Sequence, residues 1–181
     1  MEAYIEGNNF EKARKAINQS KEKIIIFSGN NDELNRKVLE KLKINILLLN
    51  QSKRKDFQKQ RNSGFNHVLA KIAKKNNVII GIDLDEIIEA KSKNKSDILA
   101  RIKQNIKLCN KNKLKMKFIF QENKRNIYDL KSLGLVLGMP TWMVKNLWAC
   151  CLRFPSEALK EIVYTPCGYE QEQEGRFQRT A

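Results

Sequence analysis

Asp83, Asp85 and Glu86 stand directly after the apolar run Val78 to Ile82. In proteins that alternate strands and helices, the C-terminal end of a strand is where reacting groups are carried. Three carboxylates there can hold Mg2+, with waters completing its shell. The plainer reading is that Asp83 and Asp85 cap the next turn while Glu86 and Glu89 solvate it. The rest of the sequence favours that reading, because no nucleophile, general base or second ligand cluster stands at a readable spacing. His67 is the one histidine, whereas barrels that hold two or three metals at their strand ends use several imidazoles alongside carboxylates. It falls in an amphipathic stretch, so packing or hydrogen bonding near a helix end is expected of it rather than metal ligation. Cys109 lies on an apolar helical face and reads as core. Cys150 and Cys151 are adjacent and Cys167 is distant, which gives neither a C-x-x-C pair nor a zinc signature. No glycine-rich phosphate loop occurs, and GLVLG at Gly134 to Gly138 reads as a close helix-packing contact. On the residues alone, no catalytic residue, metal ligand or bound cofactor is assigned.

Charge points elsewhere. Thirty-five Lys and Arg against twenty Asp and Glu leave a formal charge of +15, which repels itself unless a polyanion or an acidic partner neutralises it. A membrane-surface role would need large apolar anchors opposite the lysines or a lipidation signal, and neither is evident. No apolar run approaches the ~20 residues of a bilayer span, and MEAYIEGNNF lacks the features of a signal peptide, so the cytoplasm is expected. Two basic regions are candidates for RNA. One is the polar loop with Lys53, Arg54, Lys55, Lys59 and Arg61. The other comprises Lys91, Lys93, Lys95, Arg101, Lys103 and Lys107, leading into and along a helix. Such residues give affinity that falls steeply with salt and position a nucleic acid without reading its sequence. About half of them are expected to touch RNA, the others serving solubility. Aromatics do not alternate with the basic residues, which favours folded RNA recognised by shape over stacked single strands.

The elements that must position these residues follow from periodicity. Phe10, Ala13, Ala16 and Ile17 predict a short amphipathic helix, Ile24 to Phe27 a buried strand, and Leu34, Val38, Leu39 and Leu42 a second helix. Ile44 to Leu49 is a second strand. Ser63 and Gly64 open a turn. Val68, Leu69, Ile72 and Ala73 then predict a helix with Lys71, Lys74 and Lys75 facing water, closed by Asn76 and Asn77, before the strand Val78 to Ile82. Ser96 or Asp97 can cap a longer helix in which Ile98, Ile102, Ile106 and Cys109 share a face, and Phe118 to Phe120 marks a fourth strand. Trp142, Met143, Val144, Leu147 and Trp148 suggest another helix, broken at Phe154 and Pro155. Ser156 can cap a last one through Ile162. Strands separated by helices of this length make a parallel sheet. The 181 residues read as a single domain over 1–164 and a loose tail over 165–181, in which Phe177 is the one candidate for docking.

The run Ser63, Gly64, Asn66, His67, Val68, Leu69, Ala70, Lys71, followed by Asn76 to Leu84, resembles the signature block of the archaeal ribonuclease P protein component 3 family, the counterpart of the thirty-kilodalton eukaryotic subunit. Asn35 and Arg36 in NDELNRKVLE, with the strand INILLLN, resemble the family's next most typical segment. LARIKQNIKLCNK and YDLKSLGLVLGM match its later helices, so the likeness runs from Lys23 to Met139. It implies an α/β fold, a TIM-like β/α barrel related to the polymerase and histidinol phosphatase barrels. This chain is short for eight strands, so the first β/α units are expected to be abbreviated or missing. It also implies a non-catalytic protein subunit of ribonuclease P, supporting the catalytic RNA as it removes the 5′ leader of precursor tRNA. The implied partners are that RNA, a small ferredoxin-like subunit, protein component 2, in a two-plus-two assembly, and precursor tRNA. Mg2+ would then be used by the RNA, in an amount lowered by the protein's cations. The alternative is a metal-dependent hydrolase of the related barrel class, acting through the carboxylates after the third strand. Leu133, Leu135, Val136 and Leu137 are candidates for a partner interface, with burial in the chain's own core the simpler expectation.

Overall fold

A computed structural model describes residues 2–29, 31–52, 54–120, 125–145, 147 and 149–151. Strand and helix alternate from the start: β1 (Glu2–Gly7), α1 (Phe10–Gln19), β2 (Ile24–Gly29), α2 (Asp32–Lys41), β3 (Ile46–Leu48), α3 (His67–Lys75) and β4 (Ile79–Asp83). Then come α4 (Leu84–Glu89), α5 (Ser92–Lys111), β5 (Met116–Phe120), α6 (Ile127–Leu137), α7 (Thr141–Lys145) and β6 (Ala149–Cys151). The six strands among the described residues are all parallel, and their order across the sheet is their order in the chain. A doubly wound sheet reverses its order at a switch point; this one never does, which is the winding of a TIM-like β/α fold.

Burial on both faces explains why the strands read as apolar runs without alternation. Phe27, Leu47, Ile80, Met116 and Phe118 join the large core on one face together with the inward sides of the helices. Ile26, Ile46, Leu48 and Ile119 form a smaller cluster on the other face, with Tyr4, Ile24 and Ile79 against it. Gly81 belongs to this second face, where a Cβ would come within 3.0–3.2 Å of Leu48, Ile119 and Ile46 side chains. Only a missing side chain lets the three meet.

The first helix after each of β1 to β5 is opened by an Asn or Asp. Asn9, Asn31, Asn66, Asp83 and Asn126 accept from the backbone N–H of Glu11, Glu33, Leu69, Glu86 and Tyr128. Such caps each contribute about 1 kcal/mol. At the other end of α3, Asn77 takes the left-handed conformation with φ 54, as expected of an asparagine exit.

Two strands join the four expected. β1 reads as polar because it is half-buried and has a partner on one side alone among the described residues; β6 is three residues long. α5 starts five residues earlier than the Ser96 cap predicts, from Lys91, which makes no side-chain capping bond. Val68 is exposed and Leu69, Ala70 and Ala73 carry the buried face of α3 instead. The helix expected around Trp142 ends at Lys145. The elements expected after Phe154, the domain boundary at 164, Cys167 and the tail lie outside the described residues.

Candidate nucleic-acid interface

The loop between β3 and α3, residues 49–66, carries the first basic region, and it is built rather than slack. Glu86, at the start of α4, accepts the backbone N–H of Gln51 at 2.9 Å and that of Ser52. The Gln51 side chain is buried and donates to the carbonyls of Leu49 and Ser63, at 3.2 and 3.1 Å, drawing the two ends of the loop together. Arg54 donates through Nε to the Asn50 carbonyl at 2.7 Å and grips both oxygens of Asp32 at 3.0 and 2.7 Å. Its guanidinium lies where a Cβ on Gly64 would be, and Gly64 has φ +67. Glycine is needed there twice over, for the left-handed backbone and for the arginine above it.

Arg101 holds the loop from the other side. It comes from the buried face of α5, donates through Nε to Asp56 at 2.7 Å and through Nη1 to the Gln51 carbonyl at 2.8 Å, and its side chain is only 4% exposed. The hydrogen bond from Arg101 holds the Asp56 carboxyl below the usual carboxylate range, as a charge-assisted bond favours the ionised form. The Asn62 N–H also donates to Asp56, at 2.9 Å. What remains outward is Lys55, Lys59, Arg61 and the ring of Phe57.

The expected basic residues therefore divide. Arg54 and Arg101 are held in ion pairs inside the protein and are not part of the exposed cationic set. Lys53 lies outside the described residues. Lys91, Lys93, Lys103 and Lys107 are exposed, while Lys95 is half-buried, its Nζ donating to the Ile88 carbonyl at 3.4 Å. Of the signature residues, Ser63 is buried and donates to the Phe65 carbonyl at 3.3 Å. His67 is exposed in the first turn of α3. Leu137 is buried and Leu133 half-buried, but Leu135 and Val136 are exposed with Tyr128.

Two of the carboxylates at the end of β4, Asp83 and Glu86, are engaged with backbone. Asp83 caps α4, accepting from the Glu86 N–H at 3.1 Å. Burial pushes its carboxyl up to about 6, against the capping bond that lowers it, with Glu86 and Asp85 adding repulsion. Glu86 does not merely solvate the turn, since both its oxygens hold the β3–α3 loop. Asp83 and Glu86 line a small pocket with Gln51, Ile102 and Asn105. Among the described residues no group of three or more His, Cys, Asp or Glu is placed to hold a metal ion. Sequence reasoning missed Asp32 and Asp56 as the anchors of the loop; the signal was one acid, Asp56, inside an otherwise basic stretch.

Fold and site together define a TIM-like β/α protein that displays cations on a braced loop and uses its strand-end carboxylates to brace it. The family model for RNase P subunit p30 matches residues 5–150, and the chain belongs to that family. It is 28% identical over 155 residues to ribonuclease P protein component 3 of Methanothermobacter thermautotrophicus, covering 84% of this chain and 57% of that protein. It is 26% identical over 159 residues to the component 3 protein of Methanococcus maripaludis, covering 88% and 61%. The chain thus spans about three fifths of the length of these curated relatives. Among solved structures it is similar to a chain of an archaeal ribonuclease P determined by cryo-EM with mature tRNA, with a TM-score of 0.68 and 22% identity over 80% of this chain and 62% of that one. At that identity the likeness is one of fold.

Proposed function

We propose that this chain is a non-catalytic protein subunit of a ribonuclease P, supporting the catalytic RNA as it removes the 5′ leader of precursor tRNA. The observation that carries the reading is the family match across residues 5–150, which takes in the sheet from β1 through β5 with its helices. The braced loop fits it: Lys55, Lys59 and Arg61 stand ready to meet phosphates, with the cost of ordering the loop already met inside the protein. The partners on this reading are the ribonuclease P RNA, the small ferredoxin-like protein component 2 in a two-plus-two assembly, and precursor tRNA as substrate of the complex. Mg2+ serves the RNA, and the cytoplasm is the compartment; no described helix is long and apolar enough to cross a membrane. Residues 1–164 form the working domain.

The metal-dependent hydrolase alternative fits the site poorly. Glu86 has both oxygens on backbone amides, and Asp83 favours its proton up to about pH 6. Reconstitution decides between them: precursor tRNA with catalytic RNA at modest Mg2+, with and without this protein and its component 2 partner, beside a protein-only control. Cleavage that requires RNA and is raised by the protein pair is the expected result. Chelation-sensitive cleavage by protein alone would overturn it.

A further inference from the structure

Because all six strands are parallel, every turn from a helix back into the sheet emerges at one end, opposite the braced loop. Those turns are lysine-rich. Lys21 and Lys23 precede β2 and Lys43 precedes β3; Lys74 and Lys75 lead into β4, and Lys113 and Lys115 into β5. All of them are exposed. Glu22 is the one acidic residue in residues 20–23, 42–45, 74–78 and 111–115. The side chains of Lys21, Lys43 and Lys115 have no ion pair or hydrogen-bond partner among the described residues.

Helix dipoles account for part of this. Lys74 and Lys75 sit in the last turn of α3, where a cation is favourable, but that benefit falls off within one turn. Lys21, Lys23, Lys43 and Lys115 lie beyond the helices. Lining up one sign of charge across four neighbouring strands, about 4.8 Å apart, raises the free energy of the isolated protein through repulsion.

We infer that the N-terminal end of the sheet is a second polyanion-binding face, fitted to the phosphodiester backbone of folded RNA. Lysines act as point charges that tolerate many phosphate geometries, and the turns hold no exposed large apolar side chain to anchor a protein or enter a membrane. Of the exposed ones among the described residues, Phe57, Val68 and Tyr128 lie toward the other end of the sheet, while Leu135 and Val136 stand in the last turn of α6 and not in these four turns. The inference rests on the nucleic-acid part of the proposed function and not on its cleavage part. Two cationic faces at opposite ends of one sheet let the protein bridge two separate RNA segments.

The test uses the full chain and a short RNA hairpin of arbitrary sequence, too small to reach both ends. Wild type should take two hairpins per chain, with affinity falling steeply in salt. K21E/K43E/K115E should take one, and the slope of log affinity against log salt at the lost site should fall by about 2 to 3. K21Q/K43Q/K115Q should weaken that site at least ~10-fold at moderate salt, and it decides the matter if the glutamate variant does not fold. K55E/K59E/R61E should remove the other hairpin. Unchanged stoichiometry and salt slope in both N-terminal-end variants, with wild-type urea midpoints, would overturn the inference. So would displacement of that hairpin by polyglutamate as effective as by competitor RNA, which would assign the face to an acidic protein.

Discussion

At the C-terminal end of the sheet, positive charge is sorted. Arg54 and Arg101 are held inside by Asp32 and Asp56, Glu86 fixes two backbone amides, and Lys55, Lys59 and Arg61 are left outward. At the N-terminal end no acid sorts the charge in this way: lysines stand in successive turns with Glu22 as the lone acid among them, Lys74 donating to the Lys113 carbonyl at 3.0 Å and Lys113 lying over the Trp142 ring. The same residue class does two jobs, and geometry tells which. A planar guanidinium that can take two acceptors at once suits a bracing role, and a flexible ammonium on a turn suits contact with a partner of loose shape. The first end should therefore govern stability and the second only binding.

The largest effect expected on that contrast is from Arg101→Met. It leaves Asp56 without its partner and the Gln51 carbonyl without its donor, and should lower unfolding free energy by about 3 kcal/mol, somewhat less than a fully buried pair because Asp56 keeps some solvent. Urea denaturation measures it. Hairpin binding at the loop should fall as well, by more than one lost charge explains, since Lys55, Lys59 and Arg61 lose their bracing. A variant as stable as wild type would mean that the loop stands without Arg101. Gly64→Ala comes next. A left-handed backbone and displacement of Arg54 from Asp32 together should cost about 2 kcal/mol, read by the same titration.

Asp83 sharpens the comparison through pH. Its folded carboxyl is pushed up to about 6 from the ordinary 3.8, so the native state holds a proton the unfolded chain releases. Stability from this group is full below about pH 4 and is lost as pH rises through about 6. Asp83→Asn, which can still cap α4, should flatten that dependence and stabilise the protein near neutrality by about 1 to 2 kcal/mol. Thermal melts at pH 4.5, 6 and 7.5 would show it; an unchanged profile would mean that Asp83 is well hydrated.

The sequence carried the sheet's centre more clearly than its margins. Ile24 to Phe27, Ile44 to Leu49 and Val78 to Ile82 are apolar because they are covered on both faces, and that is visible without coordinates. β1 was not legible, since Glu2, Tyr4 and Glu6 at a half-covered margin look like any polar stretch. The start of α5 was missed because Lys91 gives no capping signal. In the site, the basic loop was legible as composition, but the division between Arg54 and Lys55 was not. That division depends on Asp32, which precedes Arg54 by 22 positions, and periodicity says nothing about which distant acid an arginine meets. The lysines of the N-terminal end were legible one by one. Only the parallel register gathers them.

The smallest expected effect is also the most direct check on the difference between the ends. Lys21, Lys43 and Lys115 brace nothing, so K21Q/K43Q/K115Q should leave stability within about 0.5 kcal/mol of wild type at high salt, as for exposed surface charges generally. At low salt the variant should be slightly more stable, because removing three like charges relieves repulsion that a Debye length of about 30 Å at 0.01 M leaves unscreened. Paired urea titrations at 0.01 and 0.5 M salt make the measurement. A gain at low salt that vanishes at high salt identifies lysines kept in spite of their effect on the fold. A loss at both salts would mean that these side chains hold the turns in place, and that the two ends of the sheet are braced alike.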